Sequence, residues 1–299
     1  LSDRLNKIGI HSDIMTLNMN KKWNPRWKEE TLESGQAKVF RDPSLNLFRG
    51  LPNPLFNLFR MNVVPTPSFV KKFKYYDIIH FVGEADLGFP LLSRYVRKPK
   101  LFQCVAIFRK GGIYKYYTLD RPSLGILFRK FFPGLADVFV ISSEEEKELL
   151  SDMGVSKQGI SILPIGVDTE TFRPCQTRKI DNLLLFVGRI DRIKGLHILM
   201  EALCYLKFPV QLVIIGEKWD AKYAKEIEEM AYKINEKGIH NVTMVGNIDQ
   251  SDLVEWYQKA SAVVCPYLYE TYSNVTRESL ACGTPVVSTG SHLWSTRCK

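Results

Sequence analysis

Glu270 and Glu278 stand eight positions apart in "ETYSNVTRESLACGTPVV", residues 270–287, directly after the apolar run "SAVVCP". A buried strand, a small polar turn and then a helix would set the first carboxylate at the strand's mouth. The second would fall inside the helix's first turns. Ser273 or Asn274 can cap that helix, and Gly283 suits its C-terminal end. Backbone N–H groups near residues 272–275 then face the space beyond the strand and favour an anion. A carboxylate repels phosphate but accepts hydrogen bonds from neighbouring hydroxyls. Two carboxylates around such an amide nest suit a ligand with hydroxyls at both ends and phosphate between, the layout of a nucleotide-sugar. A capping glutamate plus an exposed one is the plainer alternative for the same residues.

Two other segments place candidate groups at strand ends. In "FVGRIDRIKG", Gly188 ends an apolar run, and Arg189 and Lys194 lie on the loop entering a helix at 195. Two cations beside a helix N-terminus can hold a diphosphate. The segment matches neither the Walker loop nor the dinucleotide GxGxxG pattern. Taken alone, an Arg and a Lys five apart are commoner as surface charges. In "MVGNI", 244–248, Gly246 allows close approach of a flat base next to Ile248, although a simple strand-to-loop turn has the same sequence.

The elements that must position these groups are readable in the second half. Apolar runs at 182–188, 210–216, 241–246, 262–266 and 285–289 predict buried strands. Helical spacing at 195–206, 221–238 and 250–260 alternates with them, which predicts a parallel doubly wound sheet. Ligands of such sheets bind beyond the carboxyl ends of the strands. In the first half, strands are predicted at 77–83, 100–108 and 137–142, and a helix at 142–154 whose acidic start suits the helix dipole. Residues 20–70, rich in Pro, Asn and Phe, predict irregular loops and short helices. Polar residues and Pro at 166–179 predict a linker.

Length and charge narrow the class. The 299 residues suffice for two domains, and 45% hydrophobic with 24% charged residues are globular values. No apolar run reaches the length of a membrane span. Residues 1–140 hold 23 Lys+Arg against 11 Asp+Glu, a net of +12. The rest of the chain holds 18 against 21, a net of −3. Basic residues interleave with aromatics in "KKWNPRW", "KKFKYY" and "FRKFF", which suits an anionic membrane surface or a polyanion; a solvated basic face is the alternative. No nucleic-acid-binding motif is present, so nucleic acid is not an expected partner. The six cysteines (Cys104, Cys175, Cys204, Cys265, Cys282, Cys298) form no CxxC pair, which argues against zinc and suits a reducing cytoplasm.

The segments "SILPIGVDTETFRP", "LLFVGRIDRIKGLHILMEAL", "VTMVGNI" and "PYLYETYSNVTRESLACGTPVV" resemble, in order and spacing, the family 4 retaining glycosyltransferases. The likeness covers roughly residues 137–289, and "DIIHFVG" extends it into the first half. The resemblance implies a GT-B fold: two Rossmann-like doubly wound parallel-sheet domains facing a central cleft. Residues 1–170 would be the acceptor-side domain and 171–299 the donor-binding domain. It implies a nucleoside-diphosphate sugar as donor and a glycan, lipid-linked or small-molecule acceptor. The setting would be cytoplasmic, with the enzyme peripheral at the inner face of a membrane. No cofactor and no metal are implied, and no DxD-type carboxylate pair is apparent.

By the same resemblance, Arg189 and Lys194 bind the diphosphate and neutralise the leaving group, and Glu270 holds hydroxyls of the transferred sugar. Tyr272, Ser273, Asn274 and Val275 contact sugar and phosphate, Glu278 grips the ribose, and Gly188, Gly246 and Ile248 face the donor. Ile165 stands where the family usually has Asn, and Gln103–Cys104–Val105 lacks a His common there. His80 matches a strand-end His and is read as structural. The resemblance also implies a first strand with a glycine-rich loop ahead of Leu1 and a further helical segment after "VVSTG". Other readings are a different GT-B activity, namely a sugar-nucleotide epimerase or a phosphorylase, or a non-catalytic carbohydrate- or membrane-binding remnant.

Overall fold

In the computed structural model, the described residues are 5–6, 8–17, 28–31, 38–42, 67–83, 93–104, 132–152, 154–176, 178–268, 270 and 272–289. They cluster into two compact units, the first ending at Leu163 and the second beginning at Pro164. The first unit carries β1 (Ile14–Leu17), β2 (Lys28–Thr31), β3 (Lys38–Asp42), α1 (Pro67–Lys72), β4 (Ile79–Gly83), β5 (Lys100–Cys104), β6 (Val138–Ile141), α2 (Glu144–Asp152) and β7 (Ile160–Ile162). The strands β4-β5-β6-β7 form a parallel sheet, and β1-β3-β2 form a second in which β2 runs antiparallel to β3.

Both β2 and β3 lie inside 20–70, where loops and short helices are expected from sequence. The sequences "KEET" and "KVFRD" are short and charged, so neither carries the alternating apolar pattern that marks a half-buried strand. The strand expected at 100–108 is described as far as Cys104, and the segments "KKWNPRW" and "SHLWSTRCK" lie outside the described residues. Phe102, Phe139, Ile141, Leu150, Val155 and Ile160 form one core cluster. At the start of α2, Glu146 N–H donates to Ser143 Oγ at 3.3 Å, and Glu146 Oε2 accepts from Ser142 N–H at 2.7 Å. One of the clustered glutamates therefore acts as a cap.

The second unit alternates as the apolar runs require: β8 (Leu183–Val187), α3 (Leu196–Leu203), β9 (Gln211–Ile215), α4 (Ala221–Glu236), β10 (Asn241–Gly246), α5 (Gln250–Lys259), β11 (Ala262–Cys265), α6 (Asn274–Ala281) and β12 (Val286–Ser288). Its sheet has the order β10-β9-β8-β11-β12, with every pair parallel. Helices cover such a sheet on both sides, which is why "LLLFV" and "QLVII" read as continuous apolar runs. Leu185, Phe186, Leu196, Met200, Leu212, Ile214 and Ile227 are fully buried in the shared core. Asp220 caps α4 by accepting the N–H groups of Lys222 and Tyr223 at 3.0 and 3.1 Å. At the other end of α4, the Asn235 side chain accepts Val242 N–H at 2.7 Å and donates to Val242 O at 3.0 Å. The segment 166–179, read as a linker, packs onto this unit: Phe172 is buried with its ring edge-on to Tyr257, 6.1 Å between centroids.

Glycine closes three neighbouring strands, Gly188 and Gly216 directly after β8 and β9 and Gly246 as the last residue of β10. Gly216 N–H donates to Gly246 O at 2.9 Å, and the Gly188 carbonyl lies where a Gly216 side chain would sit. Gly216 also has φ +149°, so a side chain there meets both strain and a backbone collision. Gly238, with φ +70°, has open space around it. Gly216→Ala is expected to lower unfolding free energy by about 2–4 kcal/mol and Gly238→Ala by about 1 kcal/mol. Urea midpoints for the two variants test that order.

Candidate functional site

The loop after β8 is built around Asp191. Its Oδ1 accepts Ile193 N–H at 3.3 Å and caps a single 3-10 turn, Arg192–Lys194. Leu268 N–H then bonds Ile193 O at 2.9 Å, which fastens this turn to the chain leaving β11. The result is an ion pair between Lys194 Nζ and Glu270 Oε2, with only 17% of either side chain exposed. Lys194 also lies 4.3 Å over the Tyr267 ring. Tyr267 is buried and donates to Val187 O at 3.3 Å. Burial pushes the Tyr267 phenol far above its ordinary pKa, with the neighbouring Cys265 and Glu270 adding to the rise. Cys265, also buried, is raised by the same desolvation.

The other cations of "GRIDRIK" have separate partners. Arg192 pairs with Glu226 of α4 at 2.5 Å and lies 5.1 Å over Tyr223. Arg189 lies 4.7 Å over the ring of Trp219, which follows β9 and is largely exposed. Arg189 and Lys194, paired by sequence spacing, thus rest on different aromatic rings.

Helix α6 is capped by Ser273, whose Oγ accepts Thr276 N–H at 3.2 Å. Helix geometry leaves its first-turn N–H groups, those of Asn274 and Val275 among them, without intrahelical acceptors. The Val275 side chain packs on the core, so the N–H is what it can offer a ligand. The Asn274 side chain is engaged by Arg277, whose Nη2 donates to Asn274 Oδ1. Glu278 Oε2 accepts from Tyr257 OH at 2.9 Å, and the Tyr257 phenol is pushed well up by burial first and by the Glu278 charge second. Ile248 is half-buried against the core edge beyond Gly246.

Sequence reasoning did not single out Arg277, Tyr257, Trp219 or Gly216. Arg277 is 7% exposed, and every bond it makes goes to an oxygen of this unit. Nη1 donates to Ile165 O and to Gly166 O at 3.0 Å, and Nε donates to Ser273 O at 3.3 Å. Its guanidinium lies 4.3 Å over Tyr272, and Tyr272 OH donates to Ile165 O at 3.3 Å. The 272–274 turn is therefore held from beneath by one planar cation with five donors. A signal existed: Arg277 sits one turn after Ser273 on the face that the helix turns inward.

Among the described residues, no group of three or more His, Cys, Asp or Glu side chains could hold a metal, and no helix is long and apolar enough to cross a membrane.

Solved structures share this architecture. A sucrose-phosphate synthase from Thermosynechococcus elongatus superposes with TM-score 0.70 at 23% identity, covering 99% of this chain and 75% of that one. An alpha,alpha-trehalose-phosphate synthase (UDP-forming) from Burkholderia vietnamiensis gives 0.63 at 14% identity, covering 98% and 83%. The Anabaena protein HepE in complex with UDP-glucose gives 0.61 at 15% identity, covering 78% and 65%. The fold is GT-B. Residues 1–171 match Glycosyltransferase Family 4, and residues 181–294 match Glycosyl transferases group 1. The chain belongs to glycosyltransferase family 4. A D-inositol 3-phosphate glycosyltransferase of Xylanimonas cellulosilytica is 32% identical over 171 residues, 51% of this chain and 40% of that relative. The Pseudarthrobacter chlorophenolicus protein of that name is 32% identical over 170 residues, 52% and 40%. The chain spans about two fifths of the length of these curated relatives.

Arg277→Met strands the Ile165 and Gly166 carbonyls and is expected to cost about 2–4 kcal/mol in urea unfolding, with Arg277→Lys recovering only part. The raised phenols of Tyr257 and Tyr267 stabilise the fold fully below the ordinary tyrosine pKa of about 10. Above it the unfolded phenols ionise while the buried ones stay neutral, so stability falls as pH rises. Unfolding measured at rising alkaline pH should show this loss, and Tyr257→Phe should reduce its slope.

Proposed function

We propose that this protein moves a sugar from a nucleoside-diphosphate donor to an acceptor hydroxyl with retention at the anomeric carbon. The Lys194–Glu270 pair at the strand ends, beside the start of α6, carries the reading. Family membership and the UDP-glucose bound by the Anabaena neighbour support it.

The chemistry follows from what each group can exchange. An incoming diphosphate competes with Glu270 for Lys194, and the α6 N–H groups take phosphate oxygens. Glu270, released from the ammonium, accepts hydrogen bonds from hydroxyls of the transferred sugar. Glu278 keeps one oxygen on Tyr257 and offers the other to the ribose hydroxyls. The bond from the anomeric carbon to the phosphate oxygen breaks as the acceptor oxygen bonds on the same face. The acceptor proton passes to the leaving phosphate, and Arg189 and Lys194 neutralise the charge that develops there. No enzymic nucleophile, metal or cofactor enters this scheme. The acceptor is a glycan, a small molecule or a lipid-linked sugar reached from the cytoplasmic face of a membrane.

Calorimetric titration with UDP, GDP and ADP, followed by an assay of donor hydrolysis and transfer, tests the reading. One nucleotide should bind, and Glu278→Ala should weaken it about tenfold to a hundredfold. Arg189→Ala with Lys194→Ala should lower turnover about a hundredfold or more while sparing much of the binding. Failure of all three nucleotides to bind would overturn the donor assignment.

A further inference from the structure

Adjacent parallel strands also bring together the segments that precede them. Ile79 of β4 pairs with Lys100 of β5, and Ile79 N–H donates to Pro99 O at 2.9 Å. The segments 71–78 and 93–99, remote in sequence, therefore emerge side by side at the amino-terminal edge of the first unit's sheet. Phe73, Ile79 and Val96 form one small core beneath them. The side chains turned away from that core are Lys71, Lys74, Tyr75, Ile78, Arg94, Tyr95 and Arg97, all exposed. Lys72, Lys98 and Lys100 flank them. Tyr75 and Tyr95 stand 73% and 68% exposed, and the Lys74 ammonium lies 4.8 Å over the Tyr75 ring.

Positive charge on this edge comes with few acids beside it. Elsewhere some surface cations, Lys157, Arg192, Lys218 and Lys259 among them, hold a glutamate within 3.0 Å, while others such as Lys207 and Lys225 hold none among the described residues. Among the described residues, no carboxylate pairs with Lys71, Lys74, Arg94 or Arg97. The acids at this edge are few. Asp13 is buried, accepting from Tyr76 OH at 2.6 Å, and Asp137 takes Lys100 N–H at 2.7 Å. Asp77 also lies in this segment. Like charges gathered along one edge repel one another, and an anionic surface relieves that repulsion.

We propose that this edge, Lys71, Lys74, Tyr75, Arg94, Tyr95 and Arg97, is a docking surface for an anionic lipid bilayer. The aliphatic Ile78, 58% exposed between the tyrosines and cations, favours a bilayer interface over a nucleic acid. Two tyrosines flanked by cations match a headgroup layer, where the ring enters the interface and the hydroxyl and ammonium groups stay among phosphates. The surface rests on the membrane part of the reading above and not on its donor chemistry, so vesicle binding and nucleotide binding fail or succeed separately.

The test is sedimentation of the full chain with vesicles of phosphatidylcholine alone, or of phosphatidylcholine mixed with phosphatidylglycerol. Binding is expected for the mixed vesicles at low salt, falling as salt rises. Lys71→Glu with Lys74→Glu should weaken binding about tenfold or more. Tyr75→Ser with Tyr95→Ser should weaken it severalfold with the salt dependence retained. Lys207→Glu with Lys225→Glu, an equal charge change at exposed sites of the second unit, should leave it unaltered. Circular dichroism of each variant separates lost binding from lost folding. The proposal is overturned if the mixed vesicles do not bind at low salt, or if the control pair weakens binding as much as the Lys71/Lys74 pair. Tighter binding to a single-stranded oligonucleotide than to the mixed vesicles also overturns it.

Discussion

Parallel pairing sends every strand of a sheet in the same direction, and the structure depends on that constraint. In the second unit it gathers five carboxyl ends along one edge, and those of β8, β9, β10 and β11 are each followed by a loop into a helix. The loop after β8, the turn after β11 and the start of α6 meet there because no other edge is open to them. Gly216, just beyond β9, lets the chains leaving β8 and β9 run within contact of one another. In the first unit the same rule gathers the opposite ends, the amino-terminal ones, into a second surface of different character.

The resting site balances its own charge. Lys194 is neutralised by Glu270, and Glu278 is satisfied by a phenol that burial keeps protonated. The turn between these pairs is underpinned by Arg277, which has oxygen atoms of this unit on every nitrogen. The cost of holding charges in a half-buried crevice is thus met within the protein. A ligand that offers both anionic and hydroxyl groups can exchange with these contacts one for one, without leaving a charge stranded.

What the sequence shows of this depends on how local each signal is. Strands and helices of the second unit are legible because two-sided burial writes them as unbroken apolar runs. The positions of Glu270, Glu278, Arg189 and Lys194 relative to those elements are legible from spacing alone. Arg277 is not, since its meaning lies in carbonyls at Ile165 and Gly166, more than a hundred residues earlier. Tyr257 looks like any amphipathic-helix aromatic until Glu278 is placed beside it. The short charged strands β2 and β3 carry no period to detect, and the segment 166–179 reads as a linker because its one anchoring ring, Phe172, is lost among polar neighbours.

The Asn235 side chain has a consequence beyond its two hydrogen bonds. Strand β10 is the outermost strand of its sheet, and the Val242 groups that Asn235 engages are those turned away from β9. The carboxamide occupies the place of one residue from a sixth strand. An unguarded outer strand recruits other chains into continuous sheet, and proteins commonly deter this with proline, lysine or a bulge. Here an amide from the preceding helix takes up the outward Val242 groups that such pairing would use.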